Sequence, residues 1–337
     1  MKTLISNVHY KLFKSDKMRL FWHKNFILAK WSARGWALVR AVLVIGISFI
    51  ILYPLIVKFS VSIMDERDLY DITVKYIPKH FTIENYKTAW QFMNYPKAFW
   101  NSFSLSMLAS VMQLISCTLI AYGFARFNFP LKNLIFGLVI VTLVVPPQTI
   151  MIPLFLHFRF FDVFGIIKAI TGQKGINLLD SYWPFVLMSL TGSGMKNGLY
   201  IYILRQFFRG MPRELEEAAY VDGSSTLRTF ATIMLPSAVP MMVTVFLFSF
   251  VWQWNDSFYS SLFLQKLLVL PMALSALAQN INQYYYWEYG QMTNMSPAYA
   301  SMMNNTGSIM LVVPLFLIYL FAQRYFVESI ERSGIVG

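Results

Sequence analysis

The chain has 337 residues, of which 57% are hydrophobic, 17% aromatic and only 13% charged, with a formal net charge of +12 and one cysteine. Soluble domains carry about 25% charged residues, so this composition excludes an ordinary water-soluble fold and indicates one built for lipid. Cys117 stands alone in an apolar run, which excludes a disulfide framework and a cysteine metal site.

Residues 1–35 read as a basic cytoplasmic extension. They lack the clean apolar core of a cleavable signal peptide. Trp22, Phe26, Ala29 and Ala33 recur at helical spacing among Lys and Arg, the pattern of an amphipathic helix on the inner leaflet; a basic tail is the alternative. Six stretches then have the roughly 20 mainly apolar residues that a crossing helix needs. They lie at about 36–64, 101–126, 131–156, 183–207, 236–259 and 306–326. The expected fold class is an all-α membrane protein of six transmembrane helices. Lys and Arg concentrate before the first span and between the fourth and fifth, which places both the N- and C-termini in the cytoplasm. The basic excess is therefore read as topology, and no nucleic-acid partner is expected.

Along the chain, residues 36–100 are expected to hold the first helix and an extracytoplasmic loop long enough to fold into small elements. The third span carries Pro146, Pro147 and Pro153, which one straight helix does not accommodate. It reads either as a structural kink or as a broken helix lining a path. The segment at 157–182 reads as a short re-entrant or surface piece. The fourth span contains TGSGMKNGLY, whose glycines allow close packing and whose Lys196 falls near mid-depth. An ionisable group there faces the bundle interior or water, as a structural pair or as part of a path.

The stretch between spans four and five is polar. Pro212 suits the start of a helix, and Glu214, Glu216 and Glu217 favour its N-terminal end. Asp222-Gly223 is a turn signal. Ser224 or Ser225 then caps a second helix, which runs through Leu227, Phe230 and Ile233 until Pro236 bends it into span five. Near the end of that span, WQWNDSFYSS offers Trp254, Asn255 and Asp256, either as an interfacial belt or as contacts for a sugar, whose rings present apolar faces and hydroxyls. NINQYYYWEYGQ (residues 280–291) forms a polar-aromatic patch in the third outside segment. Residues 328–337 form a cytoplasmic tail.

Taken together, Glu217, Ala218, Ala219, Gly223, Ile233, Leu235 and Pro236 resemble the signature of binding-protein-dependent ABC importer permeases. RQFFRGMPRELEEAA, VVPPQTIMIPLF, WND and QRYFV are similar to elements of the carbohydrate (MalG-like) branch, and the likeness covers roughly 101–327. The tail ESIERSGIVG departs from that branch. The resemblance implies a type I ABC importer transmembrane domain in the bacterial cytoplasmic membrane. In such a domain the loop at about 208–235 is a coupling helix docked on an ATPase. Glu217, Ala218, Ala219, Asp222, Gly223, Ile233, Leu235 and Pro236 would then couple to the ATPase, and Lys196, Trp254, Asn255 and Asp256 are candidates for the substrate path. Implied partners are a second (MalF-like) permease, two ATPase subunits, a substrate-binding protein and membrane lipid. ATP and Mg would sit on the partner ATPase, since this chain has no phosphate-cradling glycine-lysine motif, no cofactor and no catalytic constellation. The expected cargo is an oligosaccharide, acidic (uronate-containing) if Lys196 faces the path. A glycerol phosphoester is the alternative within the family, and an ATP-independent transporter or channel the alternative outside it.

Overall fold

The computed structural model describes residues 35–163, 165–172, 174–289 and 295–334. The expected amphipathic segment at 1–34 and the last three residues of the tail lie outside them. The described part is helical throughout, with two isolated β-bridges, Met64–Phe81 and Phe161–Ile176, and no strand among the described residues.

Residues up to Ser60 form a unit of their own. Its described part is residues 35–60 of α1 (Gly35–Ser62), a 28-residue helix rising about 42 Å, ample for a hydrocarbon layer of roughly 30 Å. The second unit begins at Val61. It opens with a short turn-rich segment organised by Asp68, which is buried and accepts the backbone N–H groups of Lys79 and His80 at 2.8 Å each and the His80 ring at 2.7 Å. The helix α2 (Glu84–Phe92) follows, its Asn85 amide donating to the carbonyls of Ser62 and Met64.

The centre of the second unit is α3 (Tyr95–Arg126). Its buried positions include Ser102, Ser106, Ala109, Ser110, Ser116 and Ala121, a row of small residues that lets neighbouring backbones approach closely. Around it stand α7 (Trp183–Leu190), α8 (Asn197–Gly210) and α12 (Val239–Trp254). Gln113 of α3, 4% exposed, ties these together deep in the packing: its amide N–H donates to the Met195 carbonyl and to Asn197, and its oxygen accepts from Ser249 of α12.

Three helices are by themselves long and apolar enough to cross a membrane: α1, α3 and the first 28 residues of α15 (Pro297–Gly334). Two bent pairs raise the number to five. In one, Lys132–Val144 and Pro147–Arg159 meet at 99°, so the prolines break the third predicted span between α4 (Lys132–Val141) and α5 (Met151–Arg159). In the other, Thr226–Ser237 and Val239–Trp254 meet at 74°. The bend falls at Ala238, two residues beyond Pro236, where it was expected. The fourth predicted span is divided: residues 191–196 leave the helix between α7 and α8, with Gly192 and Lys196 at positive φ. Lys196 is thus the residue before α8, not an interior helical position.

A short helix α6 (Ile166–Thr171) lies in the 157–182 segment, and α9 (Glu214–Val221), α10 (Thr226–Thr229) and α11 (Leu235–Ser237) make up the polar stretch. After α13 (Phe258–Phe263), the chain expected as an outside loop folds into α14 (Leu270–Tyr289). Its Leu270, Ala273, Leu277 and Ile281 recur at helical spacing and are all buried, packed against Met302 and Met303 of α15. Their apolar stripe is masked in the sequence by the Asn, Gln and Tyr residues on the opposite face. Pro314 interrupts α15 and frees the carbonyl of Met310; the Tyr95 hydroxyl donates to that carbonyl at 3.0 Å.

Candidate functional site

The polar stretch folds as its residues dictate. The helix α9 carries Glu214, Glu216 and Glu217 in its first turn, where carboxylates complement the positive helix end. It stops at Gly223, which adopts φ +78°. The Ser224 N–H reaches the Ala219 carbonyl at 2.9 Å and the Gly223 N–H reaches Tyr220 at 3.0 Å, the paired bonds that close a helix on a left-handed residue. Ser225 then caps α10, accepting the Arg228 N–H. Residues Phe230–Met234 widen into a π-helical turn before α11. The product is a helix–turn–helix, as the glycine and serines predicted.

One acid of α9 is buried, and it is Glu216, not Glu217. Glu216 is 7% exposed. It accepts the Tyr122 hydroxyl at 2.9 Å, and its other oxygen lies 3.3 Å from Nε of Arg126, an ion pair by distance without the alignment of a hydrogen bond. Arg126 also donates to the Met211 carbonyl at 2.8 Å. The end of α3 therefore clamps the base of the loop. Glu217, Ala218, Asp222 and Gly223 face outward, Ala219 is buried, Ile233 and Leu235 are half-buried and Pro236 is exposed. Leu215, Ala218, Ala219, Asp222 and Ile233 share the wall of an open cleft of about 520 Å³. At the tip, Val221 is 88% and Leu227 79% exposed. These are large apolar groups held out on an otherwise polar loop.

The path candidates separate. Trp254 is fully buried and its indole N–H donates to the Leu311 carbonyl at 3.1 Å. Asp256 is buried and caps α13 through the N–H groups of Tyr259 and Ser260. Asn255 is exposed and, with Ser275, Asn304 and Ser308, lines an open cleft of about 430 Å³. Lys196 is exposed, its ammonium 4.8 Å from the ring centre of Trp252. Phe248, Val251, Trp252 and Asn255 are all exposed at helical spacing, so α12 presents one open face, with Lys196 laid across it. Trp252 was overlooked beside Trp254; the 3.6-residue period places Phe248 and Asn255 on its side.

A bundle of bent and broken apolar helices, with an anchored helix–turn–helix projecting from one end, defines a membrane-embedded transport subunit. Residues 114–332 match the binding-protein-dependent transport system inner membrane component family, and the chain belongs to that family. It is an integral, multi-pass protein of the bacterial inner membrane. It is 30% identical over 223 residues to the sn-glycerol-3-phosphate transport system permease protein UgpE of Salmonella typhimurium, covering 64% of this chain and 72% of that one. It is 26% identical over 296 residues to the arabinooligosaccharides transport system permease protein AraQ of Bacillus subtilis, covering 86% and 92%. Among solved structures it resembles a bacterial ABC transporter involved in the import of the acidic polysaccharide alginate, with a TM-score of 0.63, 22% identity, and coverage of 88% of this chain and 98% of that one. The fold is that of a type I ABC importer permease.

Proposed function

We propose that this chain is one transmembrane half of an ATP-driven importer for oligosaccharides, paired with a second permease, two ATPase subunits and an extracytoplasmic binding protein. With the divided stretch at 183–207 counted as one crossing, the chain has six spans; the Lys and Arg distribution then favours both termini in the cytoplasm and the helix–turn–helix on the ATPase side. One observation carries the coupling role: Glu216 fixes the base of α9 to α3 while Val221 and Leu227 stand exposed at its tip. A rigidly seated helix with an uncovered apolar end passes a displacement of its partner into the bundle. ATP and Mg act on the partner, and this chain moves between inward- and outward-open forms.

The cargo reading rests on the open face of α12. An indole beside an amide suits sugar rings, and the Lys196 ammonium over Trp252 adds a positive charge for a carboxylate. Resemblance to an arabinooligosaccharide permease supports a saccharide. Resemblance to a glycerol-phosphate permease supports a second reading, in which Lys196 meets a phosphoester. ATP hydrolysis by the reconstituted four-subunit complex with its binding protein separates them. Uronate-containing oligosaccharides are expected to stimulate hydrolysis and uptake, and Lys196→Met to reduce the response to acidic more than to neutral oligomers. Stimulation by a glycerol phosphoester alone overturns the saccharide reading, and an unchanged Lys196→Met profile overturns the role of that lysine.

A further inference from the structure

A third cleft, of about 660 Å³, opens between the α3–α4 turn and the end of α8, and Lys132, Arg205, Arg209 and Arg213 line it. No carboxylate pairs with any of these four among the described residues. Arg205 is unusual. It is 8% exposed, its guanidinium carbon lies 3.9 Å from the ring centre of Phe136, and its Nε is buried with no hydrogen-bond partner among the described residues. A buried cation left with an open donor is destabilising unless an anion completes it. Ring stacking supplies only part of that compensation.

The surroundings identify the anion's chemistry. The helix α4 starts at Lys132 and buries none of its residues. Leu131, Leu134, Leu138 and Val141 are each more than half exposed, so an uninterrupted apolar track leads away from the cationic cleft. A phosphate at the cleft and hydrocarbon along α4 is the layout of a phospholipid. We propose that this cleft binds the headgroup of an anionic phospholipid, with an acyl chain along α4. Arg213 belongs to both sites: its side chain lines the cleft and its carbonyl accepts the N–H groups of Glu216 and Glu217 at 3.0 Å at the start of α9. A bound headgroup therefore stiffens the base of the coupling helix.

The test is native mass spectrometry of the purified complex titrated with phosphatidylglycerol, with phosphatidylcholine of the same chains, and with inorganic phosphate. Alongside it, substrate-stimulated ATP hydrolysis is measured in vesicles of either lipid. Phosphatidylglycerol is expected to be retained in preference, and each neutralised cation to weaken its retention about fivefold. Arg209→Gln and Lys132→Gln, at more accessible positions than Arg205→Gln, make the comparison independent of core folding. Stimulated hydrolysis is expected to rise with the phosphatidylglycerol fraction, and this dependence to flatten in the variants. Equal retention of both lipids overturns the proposal, as does displacement of phosphatidylglycerol by millimolar phosphate, which would make the cleft a free-phosphate site. Variants that shed the ATPase subunits while keeping their lipid would assign the cleft to the ATPase instead.

Discussion

Glu216→Ala tests the anchoring of α9, the proposed coupling helix, most directly. The substitution removes an acceptor of the Tyr122 hydroxyl at 2.9 Å and the anion 3.3 Å from Arg126, in a place where both members of the ion pair are more than nine-tenths buried. Hydrogen bonds to charged groups contribute about 1.5–3 kcal/mol, and breaking one side of a buried pair costs about 3–5 kcal/mol because the remaining charge is stranded. Arg126 keeps its bond to the Met211 carbonyl, so the lower end, about 3 kcal/mol, applies. That corresponds to roughly a hundredfold loss of seated over unseated helix. Hydrogen exchange at the amides of α9 is expected to accelerate by that factor, and substrate-stimulated ATP hydrolysis to fall toward the basal rate while the subunits remain assembled. Tyr122→Phe removes one hydroxyl and leaves the ion pair, so about tenfold faster exchange is expected. Glu217→Ala, on the outer face, leaves exchange nearly unchanged. Wild-type exchange and stimulation in Glu216→Ala would refute the clamp.

Gly223 sits at φ +78° with open space around its Cα; Gly223→Ala is therefore expected to cost about 1–2 kcal/mol through backbone strain alone. Gly223→Pro, which cannot adopt that φ, is expected to abolish coupled transport in a reconstituted uptake assay. Replacing Gln113 by Leu leaves Asn197, Ser249 and the Met195 carbonyl short of partners; about 2 kcal/mol of stability should be lost, read as a lower Tm in detergent. In the 65–80 segment, backbone N–H and ring bonds from His80, then the N–H of Lys79, hold Asp68 below the ordinary carboxylate range. A depressed acid stabilises above its unfolded value of about 3.9 and loses that contribution as pH falls through its folded value. Limited proteolysis of this segment is thus expected to be resisted at pH 6 and to set in only below about pH 4.

The parts of this architecture that were legible in the sequence are those with one local solution. Only glycine turns comfortably at φ +78°, and a serine before a helical run caps it, so the helix–turn–helix was readable at Gly223 and Ser225. Two adjacent prolines and a third six residues on could not lie in one straight helix, and they mark the 99° break. What was not legible depended on distant packing. Glu214, Glu216 and Glu217 are equivalent by local pattern, and only Tyr122 and Arg126, some ninety residues away in the chain, select the middle one. Trp252 and Trp254 differ by two positions, which on a helix turns them to opposite sides, and no local signal says which side faces inward. The division of the 183–207 stretch was half visible. Its glycines were read as packing residues, as Gly198 is, where a Cβ would come within 2.8 Å of Thr142 Oγ1 and the Val139 carbonyl; Gly192 in addition provides a positive φ in the turn that ends α7.

These separate features meet on α3. Its C-terminal part carries Tyr122 and Arg126, which hold α9; nine residues before Tyr122, Gln113 joins the start of α8 to α12. At 1.5 Å per residue the two attachment points are about 14 Å apart on one unbroken helix. In the proposed coupling, a push on α9 reaches α8 and α12 through this helix and its two polar fixings. The break at 191–196 lies immediately before the Asn197 fixing, and Lys196 within it rests on Trp252 of α12. In the proposed coupling, motion of α3 is passed to this break and so to the relation between Lys196 and the open face of α12. On that proposal the anchoring acid, the buried glutamine and the exposed lysine form one mechanical sequence, which gives a reason for placing polar groups that are costly in a membrane protein at those three points.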